Sequence, residues 1–281
     1  MTPTGVGFGL ATALSWGSAD FLGGSVSRRS TPLATVVPSQ AVALAIAIVV
    51  LVVVREPTPP VAALAWAALA GCGAFVALSC LYRALTTGAM GLVASIAAVV
   101  GAGLPVMAGA VLGDRLTAAD IAGIGLALVA IVLVTRPVGP AVLTREGIIL
   151  AILSGVGAGC FFIGMGQSAD AGGGTWWPIA LSHTTCLGLA FVFLAATGGL
   201  QWPPRSVVPI LTVIGLTDVL GSAFFLLANT QGSLSISAVI ASQHPAATAV
   251  LARIITKERL ARSQVAGILV ALVAIALIAV P

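Results

Sequence analysis

Polar positions along the chain punctuate long apolar runs and do not alternate within them. Each run approaches or exceeds the roughly 20 residues a helix needs to cross a bilayer. Ten such runs can be drawn: Thr4–Ser25, Leu33–Val54, Val61–Arg83, Gly88–Leu112, Ala118–Thr135, Glu146–Gln167, Thr175–Ala196, Val207–Asn229, Ser233–Ile255 and Arg262–Val280. The connections are short. The longest carry Pro and Gly breakers, as in Arg55-Glu56-Pro57-Thr58-Pro59-Pro60, Arg136-Pro137-Val138-Gly139-Pro140 and Trp202-Pro203-Pro204-Arg205. No loop can hold a soluble domain, so function must reside in the membrane bundle.

The pattern occurs twice. Gly113–Pro137 and Lys257–Pro281 align without gaps at an offset of 144, with twelve of twenty-five positions identical. Apolar matches are cheap in such segments. The acid-Arg-Leu approach, the paired Ala122-Gly123 and Ala266-Gly267, and the closing prolines are less so. At the same offset Ala84, Gly88, Ala94 and Ile96 face Ala228, Gly232, Ala238 and Ile240, and at 143 Ser39-Gln40 faces Ser182-His183. These matches divide the chain into two five-helix copies, residues 1–137 and 138–281. Five is odd, so the second copy enters the membrane from the opposite side. The predicted fold class is an all-α polytopic membrane protein with ten transmembrane helices in two inverted five-helix repeats, a known transporter plan.

Composition agrees. Of 281 residues, 59% are hydrophobic and 7% charged, against about 25% charged in soluble domains. The net charge of +4 comes from basic residues placed singly between apolar runs; it does not point to nucleic acid. Ten Arg and Lys flank the odd-numbered loops and only Arg55 and Arg115 the even ones. The positive-inside rule then places odd loops in the cytoplasm and both termini outside. The 33 glycines suit close helix approach where lipid supplies no hydrophobic drive between helices. The four cysteines fall inside apolar runs without paired spacing and predict neither a disulfide frame nor a metal site.

Ionisable groups inside spans are functional candidates by default, because lipid makes them costly. Asp218 lies at the centre of helix 8, and at helical spacing it shares a face with Ser222, Phe225 and Asn229. It is read either as a proton- or substrate-binding carboxylate or as a buried acid held by hydrogen bonds. Asp20, in the second half of helix 1, is the other intramembrane acid. His183 aligns with Gln40, so both copies have a polar residue at that point. His244 follows Gln243 and precedes Pro245, which should break helix 9 near mid-span and free carbonyls there. The candidates for a substrate or proton pathway are therefore Asp218, His244, Gln243, Asn229, His183, Asp20, Gln40 and Ser222. Each histidine also has a plain reading as a packing residue. Arg83 ends helix 3 and is read as snorkelling to the surface or holding an anionic group. No phosphate loop, Gly-x-Ser-x-Gly or His-Glu-x-x-His is present, so no catalytic residue, metal or cofactor is predicted.

The duplicated five-helix plan resembles the drug/metabolite transporter superfamily, and most nearly its EamA-type bacterial branch. The residues that carry the resemblance are Pro245 followed by Glu258-Arg259-Leu260, Gly113-Asp114-Arg115-Leu116 in the first copy, and Trp16-Gly17 in helix 1. The resemblance implies a secondary transporter moving a small metabolite across the cell membrane by alternating access, with efflux more usual than uptake. It implies a central cavity lined mainly by helices 1–4 and 6–9, with helices 5 and 10 peripheral. It also implies cytoplasmic termini, against the loop charges. Partners are then a small-molecule substrate, protons as a candidate coupling ion, and the bilayer; oligomeric state stays open. The alternatives are an uncoupled facilitator and a membrane-embedded enzyme or sensor.

Overall fold

The computed structural model of the protein describes residues 1–27, 32–85, 90–136, 144–197, 203–257 and 260–279. Arg28, Arg29, Gly88, Pro137, Val138, Gly139, Pro140, Trp202, Glu258, Arg259, Val280 and Pro281, all used in the sequence reading, lie outside the described residues.

The described residues form α-helices and one short 3₁₀ turn. In chain order the helices are α1 (Pro3–Ser27), α2 (Pro32–Val54), α3 (Val61–Leu85), α4 (Met90–Leu112), α5 (Ala118–Thr135), α6 (Arg145–Asp170), α7 (Trp176–Thr197), α8 (Val208–Thr230), α9 (Leu234–Ala241), α10 (His244–Ile255) and α11 (Arg262–Ala279). Helices satisfy every interior backbone group within the segment, which the hydrocarbon requires. Among the described residues eight stretches are long and apolar enough to cross a membrane, one of them Leu234–Ile255. Thus α9 and α10 are two halves of one span, and α1 and α4 bring the spans to ten. Leu14, Val52, Val53, Val111, Ile121, Phe191, Val192, Leu269 and Leu272 are exposed on the outside of the bundle, as lipid-facing residues should be.

The break between α9 and α10 falls where Pro245 led the sequence to expect it. Pro245 stands in the first turn of α10, where its missing N–H costs nothing. Ser242 and Gln243 turn the chain, and Gln243 Nε2 donates to Ala127 O on α5 and Val239 O on α9, each at 3.3 Å. The buried amide thus serves backbone carbonyls at the break.

Helix starts are set locally. Thr117 and Asp120 form a capping box at α5 (Thr117 N to Asp120 Oδ2, 2.8 Å; Asp120 N to Thr117 Oγ1, 3.2 Å). In the second copy Ala261 replaces Thr117. Gln264, the counterpart of Asp120, keeps only the return bond from Ala261 N, at 2.9 Å.

The two copies pack reciprocally. A Cβ on Gly71 of α3 would lie 2.5 Å from Ser182 O and 2.6 Å from Thr185 Cβ on α7. A Cβ on Gly215 of α8 would lie 2.7 Å from Ser39 O and 2.9 Å from Val42 Cβ on α2. Each partner is the repeat counterpart of the other. The α5–α11 contact behaves alike: Gly123 abuts Ala274 and Ile278, and Gly267 abuts Ala130 and Val134. When i meets j and the counterpart of j meets the counterpart of i, the interface has two-fold character. α1 lies against α8, and α6 against α3, by the same rule.

Candidate functional site

A cavity of about 200 Å³ opens between the copies. Its lining comes from the second half of α1 (Trp16, Ala19, Asp20, Gly23), the first half of α2 (Thr35, Val36, Ser39, Gln40), α3 (Ala74, Ala77, Leu78), α6 (Ala158, Phe161, Phe162), α7 (Ser182, His183), α8 (Ile214, Asp218) and His244 at the start of α10. On α1, α2, α3 and α8 these positions run from mid-span toward the ends joined by odd-numbered loops, whereas those on α6 and α7 lie at mid-span or just beyond it toward the other end. α5 and α11 contribute nothing to it, as a peripheral placement requires. Nor does α4 among the described residues, against the expectation that helix 4 would line it. The reason is packing: Val100 and Leu104 of α4 close on Gly155 and Gly159 of α6, which draws α4 against α6 and away from the opening.

Five sequence candidates meet in this cavity. Gln40 Nε2 donates to Asp218 Oδ2 at 2.8 Å, and Gln40 Oε1 faces His183 Nδ1 at 2.7 Å. Since an amide oxygen can only accept, His183 carries its proton on Nδ1. The chain His183–Gln40–Asp218 thus joins α7, α2 and α8 near the middle of the bundle. His183 and Gln40 are buried. His183 Nε2 is also buried and has no hydrogen-bond partner among the described residues. At the open end His244 Nδ1 lies 2.6 Å from Asp20 Oδ2, with side chains 29% and 50% exposed. The break that starts α10 brings His244 to α1, and Thr248 Oγ1 ties the helices again through Gly17 O at 3.0 Å. Asp20 therefore pairs with a histidine 224 residues away.

Three candidates lie elsewhere. Gln243 is turned to the helix break. Ser222 is buried, its hydroxyl without a partner among the described residues. Asn229 stands eleven residues beyond Asp218, about 16 Å along the helix. There it lines a second, polar crevice with Gly109, Asp114, Gln167, Asp170, Gly232 and Ser233. The stripe of α8 thus spans too much depth to serve one site, and Phe225 within it is fully buried.

The sequence points to two features only in part or not at all. One is the aromatic wall, of which Trp16 alone stands out in the sequence, as a residue for substrate stacking or for packing: Trp16 packs on Phe161 and Phe162 at ring centroid distances of 5.8 and 5.7 Å, and its Nε1 donates to Asp218 O at 3.3 Å. The adjacent pair Phe161-Phe162 was its available signal. The other is the closure of the opposite, even-loop end. Asp114 Oδ2 accepts from Ser235 Oγ at 2.6 Å and Ser235 N at 3.1 Å. Glu56 accepts from the N–H groups of Thr175 (2.8 Å), Trp176 (2.8 Å) and Trp177 (3.0 Å) at the start of α7, a favourable place for a carboxylate. Thr2 N donates to Gln231 O at 3.2 Å. Arg83 pairs with Glu146 at 3.0 Å on the exposed odd-loop surface, outside the cavity lining.

A solved structure, a protein crystal structure 17% identical in sequence, superposes with a TM-score of 0.80 over 99% of this chain and 97% of its own. At that identity the likeness establishes the fold. No curated protein matches the chain in sequence. The EamA-like transporter family matches twice, over residues 3–136 and 145–280, which together take in nearly the whole chain. The protein is a multi-pass membrane transporter of small molecules and belongs to the EamA-like transporter family.

Proposed function

We propose that this protein is a secondary transporter that exports a small metabolite across the cell membrane by alternating access. The substrate site is the cavity around the His183–Gln40–Asp218 chain. That chain carries the reading: a carboxylate near mid-span, part of a hydrogen-bonded chain drawn from both copies, at the base of a cavity whose mouth is at Asp20 and His244. Asp114, Glu56 and Thr2 tie the other end. The ten-to-two distribution of basic residues supports odd loops in the cytoplasm, so the cavity opens inward and both termini lie outside. The reciprocal contacts support inverted copies that exchange roles between inward- and outward-open states.

Protons are the proposed coupling ion. The titratable groups around Asp218 are His183 and Cys186 on α7, with Asp20 and His244 toward the opening. No lysine or arginine lines the cavity among the described residues. Asp218 can hold a proton or the positive group of a substrate but not both, so each must displace the other. Metabolite profiling of expressing cells, followed by flux of the depleted compound in proteoliposomes, tests the reading. Depletion with protein-dependent flux is expected; liposomes that move nothing depleted from cells overturn it.

A further inference from the structure

We propose that the substrate is an amphipathic organic cation, a single-ring amine in size; this rests on the transporter reading above. The ionisable groups lining the cavity are two carboxylates, Asp20 and Asp218, and two histidines. Each histidine has Nδ1 committed to a neighbour, His183 to Gln40 and His244 to the Asp20 carboxylate; with its proton on Nδ1, the neutral His183 ring offers Nε2 as an acceptor, which does not bind an anion. Each carboxylate has one oxygen engaged, Asp218 Oδ2 by Gln40 and Asp20 Oδ2 by His244. The Oδ1 atoms have no hydrogen-bond partner among the described residues. A carboxylate within a membrane span is costly without a positive partner. An ammonium group supplies that partner, whereas an anionic group would meet repulsion in a medium that screens it poorly.

The wall argues for the rest of the molecule. Phe161 is set edge to face with Trp16 and with Phe162, and Trp16 is tilted on Phe162, and Asp218 hangs beside Trp16 through the indole bond to its backbone. Aromatic faces attract cations as well as flat apolar bodies. A volume of about 200 Å³ is below the roughly 300–1,000 Å³ of sites for drug-sized ligands, which limits the body to about one ring and a short chain. Asp20 at the mouth and Asp218 at the base give the amine two successive partners on one path.

Purified protein should be titrated with three matched probes, 2-phenylethylamine, 2-phenylethanol and 3-phenylpropionate, by calorimetry, and the amine then followed by flux into proteoliposomes. The amine should bind and cross, and 3-phenylpropionate should not bind. Asp218→Asn should weaken amine binding by about 10- to 100-fold, and Asp218→Glu should restore part of it. Should Asp218→Asn aggregate, Asp20→Asn at the half-exposed mouth carries the test, with weaker amine binding expected. Binding of the alcohol or the acid as tight as the amine, amine binding untouched by loss of the carboxylate, or no binding by any probe overturns the cation class and leaves transport standing. An amine that binds but never crosses overturns the transporter reading and leaves the class.

Discussion

His183 Nδ1 and Gln40 Oε1 stand 2.7 Å apart, and these two residues occupy equivalent positions in the two copies of the chain. Counterparts that touch must lie on the axis relating the copies. The base of the cavity therefore lies on the axis of the pseudo-symmetry, and a group there is shared by both halves. Asp218 breaks the symmetry: its counterpart, Ala74, lines the same cavity without a charge.

Gln40 is the only side chain described as donating to the Asp218 carboxylate. Gln40→Leu should leave both Asp218 and His183 short of a partner. Losing a hydrogen bond to a charged group costs about 1.5–3 kcal/mol, so transport should fall by roughly 10- to 100-fold. Flux in proteoliposomes checks this, with thermal melting as the control for folding.

The reciprocal glycines make a stability prediction. Gly71→Ala and Gly215→Ala each push a methyl group into backbone of the neighbouring helix, and overpacking of this kind costs about 1–3 kcal/mol. Gly188→Ala, which meets open space, should be neutral or stabilising by up to about 1 kcal/mol from helix propensity. Melting temperatures of the three variants in one detergent check it. A Gly71→Ala variant as stable as Gly188→Ala would contradict the close approach of α3 and α7.

Much of the fold was legible because the bilayer writes it in composition. Span lengths, short loops and the duplication follow from apolar runs and from pairs such as Gly123 and Gly267. Pro245 announced the break between α9 and α10. The site was legible in part. Asp218, Asp20 and the histidines stood out because charge inside lipid is rare, but nothing in the chain said that His244 would meet Asp20 and not Gln243's neighbours. Asn229 misled for a definite reason: sharing a helical face does not mean sharing a depth, and eleven residues of helix carry it to the other end of the bundle. Glu56 and Asp114 read as loop acids because their value lies in what they accept from α7 and α9, contacts invisible in sequence.

Those two acids lead to a prediction about the closed end. Asp114→Ala combined with Glu56→Gln should loosen it. In a background lacking the native cysteines, Ser233→Cys should then react faster with an impermeant maleimide than it does with both acids intact. Equal rates would mean that these contacts do not hold that end shut.

Loop charge and family resemblance disagree on orientation, and the protein can be asked directly. A cysteine appended after Pro281 in a cysteine-free background should be labelled in intact cells by an impermeant reagent. Protection until the cells are lysed would reverse the orientation and make the open cavity face outward.

The His244–Asp20 pair ties α10 to α1 at the mouth. His244→Gln should loosen that tie and lower transport more than it lowers the melting temperature. Flux in proteoliposomes equal to that of the wild type would remove His244 from the mechanism.

The central claim is that a carboxylate in this cavity couples substrate to protons. Its most direct test is flux driven by a pH gradient in proteoliposomes carrying wild type, Asp218→Asn or Asp20→Asn, each verified as folded. The account predicts gradient-driven flux in the wild type that disappears in Asp218→Asn. Gradient-driven flux that survives in both variants would contradict it, and flux indifferent to the gradient in the wild type would make the protein an uncoupled facilitator.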